Sequence, residues 1–317
     1  MRDDARLASA PTRAALRKGV LLGLMAALIW GGYLAYSRLG VTQGLRPDDF
    51  AMLRFGVAGL VMLPYLARHG VLSLAGVGWW RSLALTACAG PVFMLIVAGG
   101  YTLAPLPHGA VIPPSSMTVS SMILAALVLG DHPSRARMAG VGVILIGLVC
   151  VAGGGLLSGK GEATWLGDLM FASAGFLWAV FTVLQKRWGI APMQATAAVS
   201  VLSLVLLLPP YLLWSGFERI VALPPAALAT QVVVQGLLAG VVAVVAYAAA
   251  VVVLGASRAA LFPALVPGTA ILIGIPLTGE WPTPLQWVGI AVVMAGLLTA
   301  LGVQLHPRAA KGGSDTR

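Results

Sequence analysis

The chain has ten acidic side chains, and where they fall limits the chemistry open to it. Asp3, Asp4, Asp48, Asp49, Asp131, Glu162, Asp168, Glu218, Glu280 and Asp315 lie in polar tails or near the ends of apolar segments, and none is near the middle of one. Ion-driven carriers commonly hold a carboxylate at depth, because an ionisable group in hydrocarbon is expensive and is kept for function. The distribution predicts an uncoupled facilitator or exchanger, or coupling through groups at segment ends such as Asp131 or Glu280. Those two acids also stand just before helix starts, where the macrodipole favours a carboxylate for structural reasons alone. Arg54 is the one permanent charge expected inside an apolar segment, about four residues from its outer end. Its long stem could carry the charge back to the headgroups. Its planar fork could instead bind a substrate carboxylate.

Other polar or aromatic groups expected near mid-depth are Trp30, Tyr33, Ser115, Ser116, Thr118, Trp178, Gln235 and Tyr247, with Tyr101 nearer one end of its helix. Singly, each has an ordinary explanation in packing or in bonding to its own helix. As a set, Trp30, Tyr33, Arg54, Tyr101, Ser115, Ser116, Trp178 and Tyr247 would line an amphipathic substrate cavity, with aromatic faces for an apolar side chain and hydroxyls for polar ends. Pro113, Pro114, Pro263 and Pro267 fall within helical segments, where each removes a backbone donor. Pro114, Pro263 and Pro267 are therefore candidate helix breaks of the kind that accompany transporter sites.

Several chemistries lack their residues. His69, His108, His132 and His306 and the two cysteines, Cys88 and Cys150, show no metal-ligand spacing, so no metal and no cofactor is expected. No phosphate-binding glycine loop with lysine is present, which excludes an ATP-driven pump. A membrane-embedded lipid or prenyl transferase would need clustered carboxylates for metal and diphosphate, and the only adjacent acids are Asp3-Asp4 and Asp48-Asp49. That enzyme class and a non-transporting sensor or assembly subunit are the alternatives to a carrier.

The elements that position these residues are membrane helices. Over 317 residues the chain is 59% hydrophobic and 9% charged, with mean hydropathy +0.94, against roughly 25% charged in soluble domains. Ten helices are predicted: 19–39, 50–67, 82–103, 108–129, 138–157, 165–185, 195–214, 229–254, 259–278 and 284–305. The fold class is thus all-α and polytopic, with ten transmembrane helices.

A repeat organises them. Pro114, Gly130, Asp131, Pro133, Gly140 and Gly147 recur 149 positions on as Pro263, Gly279, Glu280, Pro282, Gly289 and Gly296. Trp30 and Trp178 match at 148, and Pro47 and Pro64 match Pro192 and Pro209 at 145. The two units are 19–157 and 164–305, flanked by tails 1–18 and 307–317. Five helices per unit is odd, so the second unit enters the membrane in the opposite sense.

With the N-terminus inside, 15 Lys or Arg residues fall on the cytoplasmic side and 4 on the other, Arg54 being set aside within its span. Both termini are therefore expected in the cytoplasm. The same bias accounts for the net charge of +10 without nucleic acid, and the basic tail can meet anionic lipid headgroups. The expected partners are the lipid bilayer and a small-molecule substrate, with a homodimer left open.

The chain resembles the EamA family of the drug/metabolite transporter superfamily over about 19–305. The resemblance rests on two five-helix repeats, on Pro263 through Gly279-Glu280 to Gly289 and Gly296, and on Trp30-Gly31 and Leu53-Arg54-Phe55. Asp131 departs from it, standing where the family usually has glutamate. Arg54 has no repeat mate, since Val199 holds that place. The resemblance implies a secondary carrier in the bacterial inner membrane, working by alternating access around a central cavity between the repeats. It further implies export of amino acids or similar small metabolites, the cargo of most characterised bacterial members, with sugars or nucleotide-linked compounds, which others move, left open.

Overall fold

Proline opens many of the helices and glycine closes several. Pro47, Pro91, Pro192, Pro225 and Pro284 each stand in the first turn of a helix, where the missing N–H has no intrahelical partner to lose. Gly130 and Gly279 close two others in the left-handed conformation that lacks a Cβ penalty. A computed structural model describes residues 12–130, 133–157 and 163–301. Asp131, His132, most of the two tails and the expected end of the last helix at Leu305 lie outside the described residues.

In chain order the spans are Arg13–Thr42, Pro47–His69, Trp79–Leu103, Leu106–Leu129, Arg135–Leu157, Thr164–Arg187, Pro192–Trp214, Pro225–Leu254, Leu261–Thr278 and Pro284–Ala300. Among the described residues, the first nine are long and apolar enough to cross a bilayer and the tenth is shorter. Two are irregular. The third consists of two helices that meet at Gly90, and the eighth is π-helical over Val232–Val242. Leucines such as Leu21, Leu63, Leu127 and Leu213 are exposed along the spans, and Trp79, Trp80, Trp165, Trp214 and Trp281 are exposed at their ends. That is a lipid-facing surface with aromatic residues at both rims.

Contacts between the repeats follow a two-fold rule. The fifth span packs on the tenth, the second on the seventh, and the fourth on the ninth. The first packs on the eighth and ninth, as the sixth packs on the third and fourth. Exchanging each span for its repeat mate returns the same set of pairs.

Direction follows from the glycines. A Cβ on Gly140 would fall 2.4 Å from Ala300 N and 2.9 Å from Gly296 O, and one on Gly147 would fall 2.8 Å from Gly289 O. Numbering rises along one helix as it falls along the other, so mates run antiparallel and the repeats are inverted. Tyr211 beside Asp49 and Ser200 beside Gly59 give the same sense for the seventh and second spans. Without Cβ atoms the fifth and tenth backbones touch, which gives packing that lipid cannot replace.

Gly147→Val should force those backbones apart and cost about 1–3 kcal/mol, read as a lower Tm of the detergent-solubilised protein. Gly142→Val, at a position with nothing within 4 Å of the added Cβ, should leave Tm unchanged.

Candidate functional site

Among the described residues three polar clusters tie the spans together, and all three lie at one end of the bundle. This end carries the C-termini of the first, third, seventh and ninth spans and the N-termini of the second, fourth, sixth and tenth. In the first cluster the Glu280 carboxylate accepts from Arg38 Nε at 2.7 Å and from the Leu106 backbone N–H at 2.7 Å, with Arg38 Nη2 also 2.6 Å away. Arg38 donates in addition to the carbonyl of Tyr101. One carboxylate thus joins the first, fourth and ninth spans. Charge-assisted bonds of this kind are the stronger ones.

The second cluster centres on His108, which is 1% exposed. Its Nδ1 lies 2.7 Å from Asp168 Oδ1 and its Nε2 lies 3.2 Å from Gln286 Nε2. Gln286 Oε1 accepts the Thr283 N–H in a capping box, so the amide nitrogen faces the ring. The network fits the tautomer with the proton on Nδ1, donating to Asp168 while Nε2 accepts.

In the third cluster Asp49, fully buried at the start of the second span, accepts from Tyr211 Oη at 2.6 Å and from Arg219 Nε at 2.9 Å. That bond to Asp49 raises the Arg219 guanidinium above its ordinary range. Arg219 belongs to the short helix Glu218–Val221, so the cluster also fixes the link between the seventh and eighth spans.

Away from this end the polar groups are less well satisfied. Arg54 is 8% exposed, its carbon Cζ lies 5.1 Å from the Tyr33 ring centroid, and its Nη1 is buried without a hydrogen-bond partner among the described residues. The second span starts at Pro47, so Arg54 stands seven residues in, about 10 Å along the axis. The sequence places it nearer the rim, because the helix was expected to start at Phe50. Tyr33 Oη donates to Met94 Sδ at 3.4 Å. On the eighth span Gln235 is fully buried and gives its amide protons to Ser37 and Gln231, while its Oε1 has no hydrogen-bond partner among the described residues. Ser37 in turn donates to Tyr33 O, so Arg54, Tyr33 and Gln235 meet around one turn of the first span.

The remaining candidates fall around this group in pairs. Trp30 packs on Tyr247 with centroids 5.3 Å apart. Trp178 lies 5.1 Å from Phe93, the neighbour of Met94. Tyr101 packs edge-on against Phe171, farther toward the latched end, and its ring fills the space that Gly109 leaves. Ser116 donates to Ala172 O and so bonds between spans, whereas Ser115 Oγ is buried without a partner among the described residues. Tyr33, Arg54 and Trp178 are therefore drawn together through Phe93 and Met94. Trp30 with Tyr247, Tyr101, and the two serines form separate contacts.

Two expectations change. The fourth span continues through Pro113 and Pro114, and the ninth runs from Leu261 past Pro263 and Pro267, so none of these prolines breaks its helix. Neighbouring spans hold the backbone in place, as Thr269 Oγ1 does by bonding Ala27 O across to the first. The break lies at Gly90-Pro91, and a Gly-Pro dipeptide is the signal that could have found it. Glu280, expected to be favoured by the dipole of the helix that follows it, is bonded elsewhere. It bonds the start of the fourth span, while Thr283 caps the tenth. Arg38, His108 and Asp168 acquire their roles only from partners 60 to 242 positions away. Among the described residues no group of three or more His, Cys, Asp or Glu comes together to hold a metal.

Glu280→Ala removes the shared acceptor of Arg38 and Leu106 and should weaken closure of this end by ~1–2 kcal/mol, about a tenfold effect. The readout is maleimide labelling of an Ala104→Cys reporter, in a chain with Cys88 and Cys150 replaced by serine. Ala104 is 2% exposed beside this cluster, and the rate should rise by that factor.

Comparison with known proteins adds a family, three relatives and a solved structure. A model of the EamA-like transporter family matches residues 17–153 and again 165–302. An uncharacterized transporter of Archaeoglobus fulgidus is 25% identical over 281 residues, covering 87% of this chain and 95% of that protein. The uncharacterized transporter YwfM of Bacillus subtilis is 29% identical over 290 residues, covering 88% and 92%. The uncharacterized inner membrane transporter YedA of Escherichia coli is 25% identical over 294 residues, covering 90% and 92%. One crystal structure aligns with TM-score 0.59 at 19% identity over 90% of this chain and 96% of its own, a likeness of fold.

Proposed function

Since the chain belongs to the EamA-like transporter family and is a multi-pass membrane transporter, we propose that it exports small organic metabolites bearing a carboxylate, amino acids foremost, across a bacterial inner membrane. The observation that carries this reading is Arg54. A guanidinium held 8% exposed with an unpaired nitrogen is costly, and a substrate carboxylate would supply both the missing acceptor and the opposite charge. Gln235 Oε1, unpaired beside the same turn, is an acceptor for an ammonium group. The Tyr33 and Trp30 faces would take up an aliphatic or aromatic side chain, with Trp178 on the opposite repeat. One donor and one acceptor near aromatic faces match a zwitterion better than a sugar.

Transport proceeds by alternating access. With both termini in the cytoplasm, as the distribution of Arg and Lys indicates, the three polar clusters lie on the outer side. The conformation described here is then closed outward, with Glu280 and His108 holding the start of the fourth span against the second repeat. Release outward requires those bonds to part. The inverted repeats supply the second conformation, because exchanging their internal arrangements exchanges the two ends. Trp30, Tyr101, Ser115, Ser116 and Tyr247 would contribute to the path on either side of Arg54.

Counterflow in proteoliposomes tests this without assuming a driving force. Labelled amino acids should exchange saturably, and Arg54→Ala should raise the half-saturation concentration for carboxylate-bearing solutes at least about tenfold. Arg54→Lys should lie between, since it keeps the charge and loses the fork. Equal exchange in wild type and Arg54→Ala would remove Arg54 from the path. No exchange of any carboxylate solute by folded wild-type protein would reject the cargo.

A further inference from the structure

The His108 ring is held from two sides by groups that make different demands on it. On the sixth span Asp168 Oδ1 lies 2.7 Å from Nδ1, and on the tenth Gln286 Nε2 lies 3.2 Å from Nε2. The Gln286 amide is fixed in orientation. Its Oε1 takes the Thr283 N–H at 2.9 Å in the capping box that starts the tenth span, which leaves its NH2 group to face the ring. A carboxylate only accepts, and an NH2 group only donates. Neutral imidazole with its proton on Nδ1 satisfies both neighbours. Imidazolium donates from both nitrogens and satisfies Asp168 alone.

A second ring proton therefore finds no acceptor while the fourth and tenth spans are together, since the ring is buried among them. Turning the Gln286 amide would supply an acceptor to Nε2 and remove one from Thr283 N–H. Parting the two spans exposes Nε2 to water and keeps the Asp168 pair. Other spans packed on the fourth bring few charges to this turn. The ninth brings Glu280 and the first brings Arg38, and these two are paired with each other. The third brings the Tyr101 hydroxyl beside Gly109, and the fifth brings Cys150, which meets Gly289 about one turn beyond Gln286. Among the described residues, only Asp168 and Gln286 bond the ring.

We propose that His108 is a proton-binding site that controls this end of the bundle, and that proton uptake at Nε2 releases the fourth span from the tenth. Histidine ordinarily changes charge between about pH 5 and 8. The parted arrangement binds one more proton than the closed one, so acid shifts the population toward opening and alkali toward closure. Asp168 favours the imidazolium in both arrangements and drops out of the difference. The device acts at one end only, because the repeat mate of His108 at the spacing of 149 is Ser257, which takes up no proton in this range. Its consequence for transport rests on the reading proposed above: acid outside favours the outward-open carrier and speeds release.

The test follows maleimide labelling of the Ala104→Cys reporter chain, with Cys88 and Cys150 replaced by serine, across the pH range in which histidine charges. Ala104 packs against Gly167, the neighbour of Asp168. Each rate is divided by that of the same chain in denaturant at the same pH, which removes the pH dependence of the thiol. The relative rate should rise about tenfold from the alkaline to the acid end. His108→Gln takes up no proton and should abolish that dependence. Gln286→Glu gives Nε2 an acceptor while its other oxygen keeps the Thr283 N–H, so labelling should slow as pH falls. A role confined to packing predicts no such reversal. Tm at each pH reports whether the variants fold, and either one decides if the other does not. A pH-independent relative rate in the reporter chain, the same dependence in folded His108→Gln, or the same sign in folded Gln286→Glu overturns the proposal. Counterflow of labelled amino acids is measured on the same preparations. Labelling that depends on pH through His108, in protein that exchanges no solute, upholds the proton site and rejects the cargo reading. Solute exchange in protein whose labelling ignores pH does the reverse.

Discussion

Hydrocarbon offers no hydrogen bonds, and the arrangement of this protein depends on that constraint. Every polar atom within the spans must find a partner inside the bundle or bear the cost of having none. Most do find one: Ser37, Thr118, Thr182 and Thr299 bond the carbonyl one turn back in their own helices. Ser116 bonds across to a neighbouring span instead, and Thr269 shares its hydroxyl between Val266 O in its own helix at 3.0 Å and Ala27 O of the first span at 3.2 Å. Among the described residues the buried side-chain atoms left without a partner are those of Arg54, Ser82, Thr86, Tyr101, Ser115, Ser203 and Gln235. Arg54 and Gln235 lie against the first span and Ser203 against the break in the third, and Tyr33, Phe93 and Met94 connect these two places.

Among the described residues the bundle is symmetric in its packing and asymmetric in its polar ties. Glycine contacts between the fifth and tenth spans and the antiparallel fit of the second against the seventh respect the two-fold exchange of repeats. The Arg38, Glu280 and Leu106 cluster and the His108, Asp168 and Gln286 cluster do not, since both hold the N-terminal turn of the fourth span at one end. In the alternating-access cycle proposed above, this arrangement would be one of two related conformations. Apolar contact would supply the part common to both, and the charged groups, whose bonds can part in water at the rim, the part that differs.

The ten spans, their alternating direction and the pairing of repeat positions were legible in the sequence. Length and hydropathy leave few alternatives in a bilayer, and matched Gly, Pro and acidic residues at one offset identify the repeat. Arg54 was legible as well, because a charge in an apolar segment is rare. Its depth was misjudged by about a turn, since Pro47 at the first helical position extends the span beyond its apolar stretch. The prolines misled in the other direction. A proline removes one donor in any helix, but whether the helix then breaks depends on whether neighbouring spans hold its backbone, which is a property of the assembled bundle.

Sequence by itself determined the class of molecule, the number and sense of its spans, and a buried arginine without a repeat mate, because each follows from local composition and periodicity in a solvent of fixed thickness. Tertiary structure decided which charges are paired. Arg38 and Glu280 stand 242 positions apart, and His108 and Gln286 stand 178 apart. Such partners are set by which helix ends the packing brings within about 3 Å, the reach of a hydrogen bond. The same packing placed Ser203 against Gly90 and left Arg54 Nη1 without a hydrogen-bond partner among the described residues. Local sequence records which groups need partners, and only the packed helices determine which of them have one.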